Sequence, residues 1–288
     1  MVMRKGLAGF LVLVIVSVAT CAHATLDVHF INVGHGDAIL IDCGDWEALV
    51  DSGPGSRASN EAVLAVLAAQ VDDGILELAI LSHPHGDHYG GFAAVFSQYE
   101  VWEFWRSFDT EPDTDEPAYV YFLKALATEG LIPRSLERGD RMMMEGVDWV
   151  ILGPGELSTN AENDAENSLV FVLIYEDVRL LFVGDIEASS ELALLDIDLP
   201  AGRLILKLPH HGLAGSTSSE FLAWADPELA IVSCDEDDMH ETTIANLGQS
   251  DVLYLTTYAD GTISVSTDGE SIWISTDTLS GQAMAGDD

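Results

Sequence analysis

Apolar and polar residues alternate over residues 26–33, and short apolar runs follow at 38–42 and 47–50. Both patterns predict strands, and the glycine-containing clusters at 34–36 and 51–55 punctuate them as turns. The period then changes. Between residues 60 and 71, Val63, Leu64, Val66, Leu67 and Val71 recur at helical spacing, with Ser59 as the N-cap. A strand-like run at 76–81 ends at Ser82, residues 104–116 are rich in Asp, Thr and Pro and read as a surface loop, and 118–129 reads as a helix. Further strands are predicted at 147–152, 169–175, 179–183, 203–208, 229–233 and 252–257, with helices at 188–195 and 218–225. A closing hairpin pairs 262–266 with 271–275 around Asp268-Gly269, a two-residue turn signal. No repeat of fixed short period is present, so a solenoid or propeller has no support. The order of elements predicts an α/β (α+β) chain with two sheets and helices outside them.

The chain's beginning follows another pattern. Arg4 and Lys5 precede an uncharged apolar run, residues 6–20, and Ala22-His23-Ala24 matches a small-x-small cleavage site, so residues 1–24 read as a signal peptide and the mature chain starts at Thr25. The run falls short of the roughly 20 residues needed to span a bilayer, which predicts no stable membrane insertion after cleavage. Anchoring as a lipoprotein through Cys21 ranks below cleavage, because Thr20 is an uncommon residue before a lipidated cysteine. The expected location is therefore outside the cytoplasm, periplasmic or extracellular, with a hydrolase domain over 25–276 and a flexible tail over 277–288. Beyond the leader the cysteines are Cys43 and Cys234, each in an apolar stretch. A disulfide would suit an oxidising compartment, two buried thiols are an equal reading, and no Cys-x-x-Cys pair suggests a metal.

Of the 288 residues, 48% are hydrophobic, enough for a substantial core. Charge changes the picture more. The formal net charge is −38, and loss of Arg4 and Lys5 with the leader would make it −40. Such a surface repels polyanions and offers no basic track, so tight nucleic-acid binding is not expected. The acidity also suits solubility in salt, the blander and preferred explanation. A bound divalent ion would still make a local positive site.

The chemistry concentrates in Ser82-His83-Pro84-His85-Gly86-Asp87-His88-Tyr89-Gly90-Gly91, directly after a buried strand. Three imidazoles and a carboxylate within six residues form a donor set suited to zinc or a similar ion. Singly, each residue has an ordinary structural use, but four of them compressed between a strand and a Gly-Gly do not. Further donors stand at other strand ends: Asp185 after Leu181-Phe182-Val183-Gly184, able to bridge two ions, and His210 and His211 after Leu206-Lys207-Leu208-Pro209.

With these residues assembled, the chain resembles the metallo-β-lactamase superfamily, in the branch related to the extracytoplasmic domain of the competence protein ComEC. The similarity covers Phe30-Ile31-Asn32-Val33-Gly34-His35-Gly36-Asp37-Ala38, Val50-Asp51-Ser52-Gly53, the His83 to Gly91 loop, Asn167-Ser168-Leu169-Val170, Gly184-Asp185, Pro209-His210-His211-Gly212 and Asp260-Gly261-Thr262-Ile263. The resemblance implies an αββα sandwich of two mixed sheets, with metals at one edge. It implies His83 and His85 on a first ion, Asp87, His88 and His211 on a second, and Asp185 bridging. His210 would lie behind the ligands or face substrate, and Asp37 and Asp51 would organise the loops beneath the metals. Many superfamily members carry another histidine before the strand that begins near Leu169. This chain has Asn163, Asp164 and Asn167 there, which leaves the first ion short of a ligand. The branch often has Gln where this chain has His35, so substrate contact or turn packing is expected of His35 ahead of ligation.

Two divalent ions about 3.5–4 Å apart would bring the pKa of a shared water near neutrality and polarise the bond under attack, with Asp87 orienting the hydroxide. No Gly-x-Ser-x-Gly segment suggests a serine nucleophile. The expected cofactor is Zn²⁺, one ion or two, with Mn²⁺ as an alternative. The expected reaction is phosphodiester or phosphoester cleavage of a small or cell-envelope substrate. The alternatives are hydrolysis of a carboxylic ester, lactone or β-lactam, and a non-catalytic secreted metal-binding module.

Overall fold

A computed structural model describes residues 25–107, 117–155, 164–278 and, for the backbone, 282–284. The leader, most of the acidic stretch ending at Glu116, and Asn163 lie outside these residues. The strands in chain order are β1 (Leu26–Phe30), β2 (Ile39–Asp42), β3 (Glu47–Val50), β4 (Ile75–Leu81), β5 (Glu100–Arg106), β6 (Arg134–Ser135), β7 (Arg141–Met144) and β8 (Val147–Gly153). They continue as β9 (Val170–Tyr175), β10 (Val178–Phe182), β11 (Arg203–Lys207), β12 (Leu229–Val232), β13 (Leu253–Thr256), β14 (Ile263–Thr267), β15 (Ile272–Thr276) and β16 (Gln282–Met284). The helices are α1 (Arg57–Gln70), α2 (Gly86–Tyr89), α3 (Phe92–Phe96), α4 (Pro117–Thr128), α5 (Ala188–Leu194), α6 (Ser219–Ala225), α7 (Glu241–Gln249) and α8 (Thr257–Asp260). Among the described residues, no helix is long and apolar enough to cross a membrane.

One sheet runs β16-β15-β14-β1-β2-β3-β4-β5-β6 and the other β13-β12-β11-β10-β9-β8-β7. Both are mixed: β3 to β6 are parallel beside the antiparallel β1–β2–β3 meander, and β10 to β13 are parallel beside antiparallel β7 to β9. Side-chain alternation along a strand explains the layering. On β10, Val178, Leu180 and Phe182 face the space between the sheets, where Phe30 of β1 stacks on Phe182 at 6.1 Å. Leu181 of the same strand faces the outer layer built with Phe221 and Leu222 of α6 and Leu247 of α7. On β4, Leu78 and Ile80 face inward, while Ala79 and Leu81 meet α1, α3 and α4. Burial on both faces is why these strands read as continuous apolar runs, and the result is the expected αββα sandwich.

Several local expectations are corrected. Residues 104–106, read as loop, complete β5: Phe104 and Trp105 are buried and pair in parallel with Ala79 and Ile80. α1 starts at Arg57, three residues earlier than predicted, because the Ser56 hydroxyl, not that of Ser59, caps it by accepting from the Ser59 amide. The segment after His85 is not all loop: residues 86–89 form one helical turn. The hairpin turn spans four residues, with Thr267 opposite Ile272, because the Asp268 carboxylate accepts from the amides of Glu270 and Ser271. Within the stretch read as a tail, β16 pairs antiparallel with β15. Cys43 and Cys234 are free buried thiols, and burial pushes them up to about 11 and about 12, so neither is a reactive thiolate at neutral pH.

Candidate metal centre

β1, β3, β4, β10, β11 and β12 point the same way within their sheets, and the chemistry-bearing residues follow their ends. Backbone hydrogen bonds stitch these loops together: Ser52 N donates to His88 O at 2.7 Å, Gly53 N to Asp37 O at 2.7 Å, Leu169 N to Ser82 O at 2.9 Å and His210 N to Gly184 O at 3.2 Å. His210 and His211 are consecutive residues in the left-handed region, φ 49° and 54°. Each such residue costs on the order of 1–3 kcal/mol, a strain that persists only where its surroundings dictate it. Here the Ser233 carbonyl, accepting from His211 Nδ1 at 2.8 Å, fixes the ring.

The side chains converge on Asp185 Oδ2. It lies 3.1 Å from His88 Nε2, 3.2 Å from His211 Nε2 and 3.7 Å from His83 Nε2. Asp87 Oδ2 stands 3.6 Å from His88 Nε2 and 3.4 Å from His211 Nε2. The donor atoms of His83, His85 and Asp185 form one compact group, those of Asp37, His88, Asp185 and His211 another, and those of His35, Asp87 and His211 a third. His83, His88, Asp185 and His211 are buried, whereas His85 and Asp87 are half-buried.

Asp51 acts beneath this cluster. Its carboxylate accepts from the Ser82 amide at 2.8 Å, from the Ser82 hydroxyl at 2.6 Å and from His88 Nδ1 at 2.8 Å, which turns His88 Nε2 toward Asp185. Asp37 lies lower still, with Oδ2 2.5 Å from Lys207 Nζ. Lys207 is the residue that motif reasoning passed over: a buried lysine at the end of an apolar strand, whose ammonium also lies 3.9 Å from Asp185 Oδ1. Its charge inside a hydrophobic run was the available signal. His210, half-buried, has Nδ1 3.4 Å from Glu187 Oε1, at the side of the cluster. Asn167 is buried and lines a small cavity with His83, Pro84, Arg106 and Tyr119. Ser168 accepts from the Asp185 amide at 3.0 Å and so holds that loop.

Burial and charge oppose each other throughout. Burial alone would lower His211, but Asp185 and Asp87 raise it to about 9. For His88, burial is outweighed by Asp185 and Asp51, which hold it well above the usual histidine range. Burial would raise Asp87, yet the imidazoles of His211 and His35 hold it far below the usual carboxylate range. His83 is pushed well down, first by burial and then by His88. Burial would lower Lys207, yet Asp37, Asp185 and Asp51 keep it raised and charged.

The residues fit a divalent ion. His83 Nε2 is buried with no hydrogen-bond partner, an expensive condition that a coordinated cation relieves. Four donors placed tetrahedrally about 2.0–2.1 Å from a zinc ion stand about 3.3–3.4 Å apart. The Oδ2 atoms of Asp87 and Asp185 each stand 3.1 to 3.6 Å from the Nε2 atoms of His88 and His211, around that value. His83, His85 and Asp185 supply three donors for a second position. Three protein ligands with one open place is the usual form of a catalytic zinc site, so the missing third imidazole does not disqualify it.

Comparison with known proteins agrees with the geometry. The family described as Metallo-beta-lactamase superfamily matches residues 27–235. ComE operon protein 3 of Bacillus subtilis (strain 168) is 24% identical over 267 residues, covering 84% of this chain and 33% of that protein. Recombination protein 2 of Haemophilus influenzae is 29% identical over 211 residues, covering 73% of this chain and 24% of that protein. The chain therefore spans about a third or less of the length of these relatives. Among solved structures, the metallo-beta-lactamase fold protein YhfI from Bacillus subtilis is similar in fold, with a TM-score of 0.56 at 14% identity, covering 85% of this chain and all of that one.

Proposed function

Since the chain belongs to the metallo-beta-lactamase superfamily, in the branch of the ComEC-like competence proteins, we propose that it is an exported phosphodiesterase that cleaves a small phosphoester. The observation that carries this reading is the convergence of His83, His88 and His211 on one oxygen of Asp185, with Asp87 beside the same His88 and His211 nitrogens. His83, His85 and Asp185 would hold one ion, and Asp87, His88, Asp185 and His211 the other, with zinc favoured by the imidazole-rich set. A bound divalent ion supplies Lewis acidity and a water that ionises near neutrality.

The protein's own residues do the rest. Asp51 and the Ser233 carbonyl hold His88 and His211 so that one nitrogen of each faces the cluster. Half-buried Asp87 is placed to orient a nucleophile, and half-buried His210, beside Glu187, is a candidate to face a leaving group. A formal net charge of −38 supports a small or zwitterionic phosphoester over a long polyanion. Residues 1–24, with their leader-like organisation, support export.

The test is turnover of bis-p-nitrophenyl phosphate by the purified protein with Zn²⁺ or Mn²⁺, beside His83→Ala and Asp185→Ala controls. Activity abolished in both variants is expected, and wild-type turnover no greater than theirs sinks the assignment. Parallel assays on a lactone and a chromogenic β-lactam separate phosphoester from carboxyl chemistry.

A further inference from the structure

We propose that His35 is itself a ligand of the metal centre, binding through Nε2 beside Asp87 and His211. The inference rests on the metal-centre reading above and changes its membership. By resemblance, His35 was expected to contact substrate or pack in its turn, but its surroundings are those of a ligand.

His35 Nε2 lies 3.3 Å from Asp87 Oδ2, no farther than the imidazoles of His211 and His88 stand from that oxygen. The His35 and His211 rings are 4.6 Å apart, and the donor atoms of His35, Asp87 and His211 form one compact group. A metal-bound imidazole almost always has its second nitrogen held by a carboxylate, carbonyl or similar acceptor. In this centre Ser82 Oγ stands beside His83 Nδ1, Asp51 takes His88 Nδ1 and the Ser233 carbonyl takes His211 Nδ1. His35 follows the same division: Nδ1 meets Asp238 Oδ2 at 2.9 Å, and Nε2 is left for the centre. Asp238 is fixed in turn, because the Asp235 amide donates to its Oδ2 at 2.6 Å.

The turn that carries His35 is also built for close approach. Gly36 has φ +125°, and a Cβ there would run into the Asp87 carbonyl oxygen. The next amide, of Asp37, donates to that same carbonyl at 3.3 Å. Glycine thus lets the β1–β2 connection close onto the ligand loop and bring the His35 imidazole beside Asp87. His35, Asp87 and His211 together make a three-donor set, the number of protein ligands usual at a catalytic zinc site.

The experiment compares wild type with His35→Ala, His35→Gln and Asp238→Asn for metal content by mass spectrometry, affinity by chelator competition, and the visible spectrum of the Co²⁺-substituted protein. His35→Ala and His35→Gln should each weaken one ion at least tenfold and alter the Co²⁺ absorption bands. Asp238→Asn should weaken the same ion by about 10–100-fold, as loss of a ligand's supporting partner does. Thermal melts of the metal-free variants should match wild type, which separates ligand loss from misfolding. If wild type binds its ions and both His35 variants keep its affinity and spectrum, the ligand assignment is wrong and the hydrolase reading stands. If wild type takes up no ion, both fall together.

Discussion

The ammonium of Lys207 and the carboxylate of Asp37 meet at 2.5 Å beneath the donor cluster, with both side chains shut off from solvent. Removing one member of such a pair leaves the other charged, buried and unpaired, which costs about 3–5 kcal/mol. Lys207→Met should therefore destabilise the metal-free protein by about that amount in urea unfolding, and adding Asp37→Asn should recover part of the loss. A loss below about 1 kcal/mol would show that the pair has little structural weight. His211 makes a second prediction at this scale. Its pKa in the metal-free fold, about 9, is above the ordinary value of 6.5, so its ion pairing contributes stability that is complete below about pH 6.5 and is lost as pH rises through 9. An incoming cation must displace that proton, so apparent metal affinity should climb from pH 7 toward 9. Chelator competition at several pH values reads this directly, and a flat profile in that range counts against the protonated imidazole.

At the scale of elements, β3 carries a charge problem of its own. Glu47 is buried at the strand's start, and its amide donates to Glu77 Oε2 of β4 at 2.9 Å. Burial, and then the neighbouring Glu77 carboxylate, push the Glu47 carboxyl up to about 8. The native state therefore keeps a proton that the unfolded chain releases near 4.5. The associated stability is present below about pH 4.5 and is lost as pH rises through 8. Glu47→Gln should flatten the decline in melting temperature between about pH 5 and 8.5. An unchanged slope would place its origin elsewhere. The same strand shows how an element can be plain in sequence while its setting is not: the apolar run at 47–50 announced β3, but the acidic neighbour comes from β4, thirty residues on.

Over the whole molecule, 49 acidic side chains against 11 lysines and arginines leave a strong self-repulsion. Raising NaCl from about 0.1 M to about 1 M shortens the screening length from about 10 Å to about 3 Å, so the melting temperature should rise across that series. A fall would mean that specific ion pairs outweigh the global repulsion. What the sequence determined by itself is local. Period-2 and period-3.6 patterns located most strands and helices, and His83-x-His85-x-Asp87-His88 declared its chemistry because those donors sit within six residues. The tertiary structure alone decided which distant groups complete the centre. Lys207 looked like one charge in an apolar strand until the fold set it on Asp37, and His35 looked like a turn residue until Asp238, some two hundred residues later, took its Nδ1. Donor separation, burial and second-nitrogen partners are properties of chain ends brought together across two sheets, and no local pattern encodes a distance between loops.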